Sequence, residues 1–362
     1  MKLLRFMGNV TLAIIILLVI VLIALTVSGV ALARVWENQG LDYGASEGHW
    51  MWIDGEPIHY LEWGAENDAP IVLIHDLDVA GSVTWLANGR DLSRRGHRVV
   101  AIDLRGLGRS ARGGSPELYS VEGQALLVAQ VLNQLRIRNA TVVGHGWGGD
   151  IALRLAQEQP QFVGRLVLIA PYAGGEGDSH YMRLWRAACR WPYTGRAASW
   201  FMLSGGPIGR HVRRQAIIDR NLDVRVTLPE DYWSMAVRPT HIIGTIDSLV
   251  AIAAAWENQD LGQRPMVPRR DAPRISAPRI SAPITMVVGE GMIHETVVTD
   301  EEPSPIEFAV MMLRPAPTED VQGLANALGA ELVVIPRAGR YPQLQQPAAF
   351  NRLLSDLARG GS

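Results

Sequence analysis

The hexapeptide Gly144-His145-Gly146-Trp147-Gly148-Gly149 separates an apolar run from a helical-period stretch. A helix that starts at such a turn points unpaired backbone amides at whatever lies in front of it, and these favour anions. Upstream, His75, Asp76 and Asp78 follow the apolar run Ile71–Ile74. Together with His145 they form a polar cluster suited to proton transfer or hydrolysis. Their spacing matches no recognised metal motif, so no metal is expected, and no cofactor is called for. His145 is expected to be a satisfied core histidine. His294, with Glu295, Asp300, Glu301 and Glu302, reads as a solvated acidic loop. A single cysteine, Cys189, excludes both an internal disulfide and a thiolate cage.

The elements that must position these groups follow from periodicity. Trp50-Met51-Trp52-Ile53 and Ile58-His59-Tyr60-Leu61 flank Asp54-Gly55, a hairpin signal. Apolar runs at Ile71–Ile74, Val99–Ile102, Ala140–Val143, Leu166–Ile169, Ile284–Val288 and Leu332–Ile335 predict strands. Helical-period stretches at Val121–Leu135, Ile151–Gln157 and Pro347–Leu357 alternate with them. Alternation of this kind specifies an α/β fold, a mostly parallel sheet covered by helices. The expected organisation is a core of 49–175 and 271–362, interrupted by a helical cap at 176–270. Within the cap, residues 176–230 hold nine arginines against five acids. Solvated arginines on a surface helix account for that excess, and contact with anionic lipid headgroups is the sharper alternative. The doubled Ala-Pro-Arg-Ile-Ser at 272–281 predicts an extended strap returning from the cap.

Three motifs carry a resemblance. Ile71-Val72-Leu73-Ile74-His75 ends a strand where a His-Gly turn is expected. Asp103-Leu104-Arg105-Gly106-Leu107-Gly108-Arg109-Ser110 matches an Asp-x-x-Gly-x-Gly-x-Ser turn, and Gly144–Gly149 sits where a nucleophile elbow belongs. Together they resemble the α/β-hydrolase superfamily, in particular its epoxide hydrolase and haloalkane dehalogenase branch. The resemblance implies the α/β-hydrolase fold with a helical cap insert. It also implies three catalytic positions, and each departs from the family pattern. The elbow position is Gly146, which has no side chain to attack a substrate. The acid position, in Gly289-Glu290-Gly291-Met292, is Met292. The histidine position, in Ala338-Gly339-Arg340-Tyr341-Pro342, is Arg340, which stays protonated and is no general base. With the triad positions degenerate, the resemblance implies a pseudo-hydrolase that binds a partner protein or a small apolar or anionic ligand. Asp76, Leu77 and the Trp147 amide would line that pocket. An active hydrolase using His75, Asp78 and His145, and a structural subunit of a membrane complex, are the alternatives.

Residues 10–33 are uncharged and rich in Ile, Leu and Val. At about 1.5 Å per residue they reach across a hydrocarbon core of about 30 Å. A cleavable signal has a shorter apolar region, so a signal anchor is expected although Ala31-Leu32-Ala33 resembles a processing site. Lys2 and Arg5 precede the segment, which places residues 1–9 in the cytoplasm and the rest on the outer, periplasmic side of an inner membrane. Residues 34–48 are expected to form a polar tether. The chain has 362 residues and a net charge of −2, giving no basic surface for nucleic acid. The expected partners are the lipid bilayer and a membrane protein or small molecule.

Overall fold

The computed structural model describes residues 2–37, 48–66, 68–172, 180–202, 232–258, 280–292 and 321–360. The strap at 272–279 and the acidic stretch from His294 to Glu302 lie outside them.

The strands are β1 (His49–Ile53), β2 (Glu56–Trp63), β3 (Ala69–Ile74), β4 (His97–Ile102), β5 (Ala140–His145), β6 (Val163–Ile169), β7 (Ile284–Gly289) and β8 (Glu331–Ile335). They form one sheet in the order β1-β2-β4-β3-β5-β6-β7-β8. The β1–β2 and β2–β4 pairs are antiparallel and all others parallel. The predicted Asp54-Gly55 hairpin is the β1–β2 turn. Each predicted run became a strand because alternate residues bury on opposite faces. Val72, Ile74, Val142 and Leu168 enter one apolar layer, and Ile71, Leu73, Val143 and Ile169 the other.

The helices are α1 (Lys2–Glu37), α2 (Leu86–Arg94), α3 (Val121–Gln134), α4 (Trp147–Glu158), α5 (His180–Cys189), α6 (Pro192–Met202), α7 (Tyr232–Val237), α8 (Thr245–Asn258), α9 (Val321–Leu328), α10 (Pro342–Gln345) and α11 (Pro347–Ala358). Helices α5 to α8 fall between β6 and β7, where the cap was expected. They hold one another through polar contacts: the buried Trp185 indole donates to Ser199 Oγ at 2.9 Å, and Arg196 pairs with the exposed Asp247 at 2.8 Å.

Helix α1 is long and apolar enough to cross a membrane from Val10 onward. It overruns the segment expected from hydropathy and corrects the tether. Arg34–Glu37 is helical, and this last turn is docked on the cap. The Trp36 indole donates to Thr240 Oγ1 at 2.8 Å and stacks on His241 with centroids 4.3 Å apart. The Glu37 carboxylate accepts the Ile246 amide at 2.8 Å, satisfying one of the orphan donors in the first turn of α8. Gly29 and Ala33 are buried on the same face of α1, and a Cβ on Gly29 would stand 2.7 Å from Ala197 Cβ. Gly29→Ala is therefore expected to force the helices apart at a cost of about 1–3 kcal/mol. Urea unfolding in mild detergent checks this through the shift in midpoint.

Candidate functional site

Register places the site. Ile74 of β3 lies opposite Gly144 of β5, so the turns after these two strands emerge side by side at one edge of the sheet. β5 ends in His145, and Gly146 then takes φ 53° and ψ −116° as the N-cap of α4. Such dihedrals strain a side-chain-bearing residue by about 1–3 kcal/mol, whereas glycine adopts them readily. The turn also demands small neighbours. A Cβ on Gly148 would lie 2.5 Å from the carbonyl oxygens of Ile74 and His75. The glycines thus let the start of α4 press onto the end of β3.

What faces Gly146 is a carboxylate. Asp76 Oδ1 accepts the amides of Leu77 and Trp147, each at 2.8 Å, and Oδ2 pairs with Arg340 Nη2 at 3.2 Å. A Cβ built on Gly146 would fall 2.1 Å from Asp76 Oδ1. The carboxylate therefore stands in the space that a side chain at 146 would enter. Burial pushes the Asp76 carboxyl up, but the Arg340 guanidinium and the two amides outweigh it and hold the pKa below the ordinary value. The Arg340 side chain is 14% exposed, and its guanidinium carbon lies 4.6 Å over the Tyr172 ring. This anion is fully partnered.

The expected pocket residues Asp76, Leu77 and Trp147 do come together, but not as an open anion site. The two amides expected to receive a ligand are taken by the chain's own Asp76. An external anion on those amides is excluded while Asp76 occupies them, which corrects the anionic-ligand expectation at this point.

The alternative cluster disperses into structural roles. His75 donates from Nδ1 to the Asp76 carbonyl at 2.7 Å and accepts the Leu104 amide on Nε2 at 3.1 Å. Asp78 accepts the Ala80 amide at 3.0 Å. His145 is a core histidine: the Gln343 side-chain amide donates to Nδ1 at 3.3 Å, so Nε2–H donates to the Arg340 carbonyl at 3.0 Å. Burial is the main cause lowering the His145 pKa to about 4, which keeps the ring neutral. Its ordinary value in an unfolded chain is about 6.5, so the unfolded state takes up a proton first as pH falls. The expected result is a loss of stability between about pH 6.5 and pH 4, up to about 1.4 kcal/mol per pH unit. Urea midpoints across that range test it, and His145→Gln should flatten the slope.

Met292 is partly buried and packs against both apolar layers, a filler rather than an acid. Arg340 has the position expected for it, but as the partner of Asp76. Inspection of the sequence missed Gln343 and Tyr172, which hold His145 and Arg340. Their only signal is nearness in sequence to Arg340 and to the end of β6. Asp103, in the second motif, accepts the amides of Ser82 and Arg109 and pairs with His59 at 2.7 Å, joining its own loop to the turn at Ser82 and to β2. Among the described residues, no three His, Cys, Asp or Glu side chains converge as metal ligands.

The strand–turn–helix with φ-positive Gly146, on this strand order, is decisive when set beside a family model described as the alpha/beta hydrolase fold, which matches residues 70–192. Residues 70–192 match the α/β-hydrolase family model, and the chain carries the α/β-hydrolase fold. A haloalkane dehalogenase of Psychrobacter cryohalolentis is 34% identical over 127 residues, covering 33% of this chain and 40% of the relative. One of Mycolicibacterium paratuberculosis is 38% identical over 115 residues, covering 31% and 36%. The matched stretch thus spans less than half the length of either relative. Among solved structures, an esterase from Exiguobacterium antarcticum superposes with TM-score 0.59 at 16% identity, over 86% of this chain and 99% of its own. That likeness shows the α/β-hydrolase fold, which this chain carries with Gly146 at the elbow.

Proposed function

We propose that this chain is a membrane-anchored member of the α/β-hydrolase superfamily that works by binding a partner protein or an apolar ligand, without turning a substrate over. The observation that carries the reading is the Asp76–Arg340 pair. Hydrolases of this fold leave two amides vacant for the oxyanion that develops on the substrate. Here a buried carboxylate holds both amides, a guanidinium neutralises it, and no side chain projects from residue 146. The docked helix α1 supports the anchor. Removal of a peptide at Ala33 would strip Gly29 and Ala33 from the cap, which supports an anchor that is kept. Lys2 and Arg5 orient the amino terminus to the cytoplasm and the folded domain to the opposite side.

Active hydrolysis is the second reading, favoured by the placement of the Asp76 carboxylate where an elbow side chain would stand and by the hydrolases among the relatives. One experiment separates them. Full-length protein in mild detergent is assayed with aryl esters, epoxides and haloalkanes in water enriched in the heavy oxygen isotope. The expected result is no turnover above a blank and no isotope in the Asp76 peptide. Turnover lost in Asp76→Asn, with label in the Asp76 carboxylate, would establish a relocated nucleophile and overturn the binding reading.

A further inference from the structure

Counting along α1 from Val10, about 20 residues at 1.5 Å each cross a hydrocarbon core of about 30 Å, so the core ends near Gly29. Gly29 is where α1 meets the cap, its built Cβ 2.7 Å from Ala197 Cβ and 3.1 Å from the Phe201 ring. The cap therefore begins where the hydrocarbon stops, with no free chain between them. From Thr26 the helix has a docked face, and Trp36 and Glu37 hold its last turn to the cap.

Large apolar side chains lie exposed close to this junction. Trp191 is 61% and Tyr193 68% exposed at the tip of the α5–α6 hairpin, and Ile243 is 70% exposed in the turn before α8. Tyr193 precedes Ala197 by one helical turn, about 6 Å. Ile243 follows by two residues the His241 ring that stacks on Trp36. Arg34 and Arg190 are exposed beside them. Aromatic rings with an apolar body and a polar edge, next to arginines, partition into the headgroup layer of a bilayer. The interfacial layer is about 5–8 Å deep on each side, which matches the separation of about 6 Å between Tyr193 and Ala197, whereas Ile243, near Trp36 about 10 Å beyond Gly29, sits at its outer margin.

We infer that the cap is a membrane-interface element, with Trp191, Tyr193 and Ile243 seated among lipid headgroups while Arg34 and Arg190 face phosphate oxygens. Two contacts, the crossing helix and the cap tip, then fix the tilt of the whole domain on the bilayer. The inference rests on α1 spanning the membrane, and its test separates the two.

Spin labels are placed singly at Trp191→Cys, Tyr193→Cys, Leu18→Cys and Trp52→Cys in a Cys189→Ser background of the full chain, reconstituted in phosphatidylcholine vesicles. Trp52, 66% exposed on β1, is the aqueous reference. The readout is accessibility to oxygen relative to a water-soluble nickel chelate. Leu18 is expected to lie deep in hydrocarbon. Trp191 and Tyr193 are each expected to exceed the Trp52 ratio by about threefold or more. A hydrocarbon-like Leu18 with Trp191 and Tyr193 equal to Trp52 would overturn the inference and leave the anchor standing. An aqueous Leu18 would remove the anchor itself. Dipolar broadening between the Trp191 labels of two chains, with no gain in oxygen access, would assign the patch to a second copy and also overturn it.

Discussion

Arg340→Met is expected to cost the folded protein about 3–5 kcal/mol, among the largest single-residue effects outside the apolar core. The substitution leaves the Asp76 carboxylate buried with its two amide donors and no counter-charge. Arg340 is the first of several groups that offset burial of Asp76, ahead of His145 and the Trp147 and Leu77 amides, so losing it raises the Asp76 pKa. The expected value lies above the ordinary one, and the linkage changes sign. In the parent protein Asp76 contributes stability at neutral pH that is lost as pH falls through its depressed pKa. In Arg340→Met it contributes stability at low pH that is lost as pH rises through its raised pKa. Asp76→Asn is expected to cost a similar amount, because it strands Arg340 instead. The double variant Asp76→Asn/Arg340→Gln should recover much of the loss, with a coupling energy of about 2 kcal/mol. Urea unfolding followed by tryptophan fluorescence in detergent measures all four proteins. Additive single effects would mean that the two groups do not act as a pair.

Gly146→Ser is expected to destabilise the protein by about 4–8 kcal/mol and to yield no hydrolysis. Positive φ accounts for about 1–3 kcal/mol of the loss. The remainder follows from the contact at 2.1 Å, which drives Asp76 off its amides and away from Arg340. Serine there has no base either, since Arg340 remains protonated and both ring nitrogens of His145 are engaged. Combining Gly146→Ser with Asp76→Gly removes the collision and should restore part of the stability without restoring turnover. Thermal midpoints and an aryl ester assay check both halves. Robust ester hydrolysis by Gly146→Ser alone would place a working base near residue 146 and contradict this account of the site.

Much of the fold was legible because strands buried on both faces are continuous apolar runs, which are encoded locally. Runs such as Ile71–Ile74 and Ala140–Val143 needed only their own sequence to declare themselves strands. The residue types at Gly146, Met292 and Arg340 were equally legible, since type alone says whether a side chain can attack or accept a proton. The helical turn at Arg34–Glu37 was not legible because a polar, Gly-containing stretch reads as a tether. The Glu37 carboxylate instead has a partner 209 residues away at the start of α8. His145 is the satisfied core histidine that was expected, but its partners Gln343 and the Arg340 carbonyl lie far away in sequence and were not legible.

Sequence by itself determined what is missing from the elbow: glycine has no side chain in any fold, so no nucleophile can project from residue 146. Only the tertiary structure decided what fills that space. Asp76 and Arg340 are 264 residues apart, and each alone is an ordinary surface-type charge. The sheet order sets β3 beside β5, and the loop after β8 turns back over them. Charge pairing across that distance depends on which strand ends emerge together, which no local pattern of residues specifies.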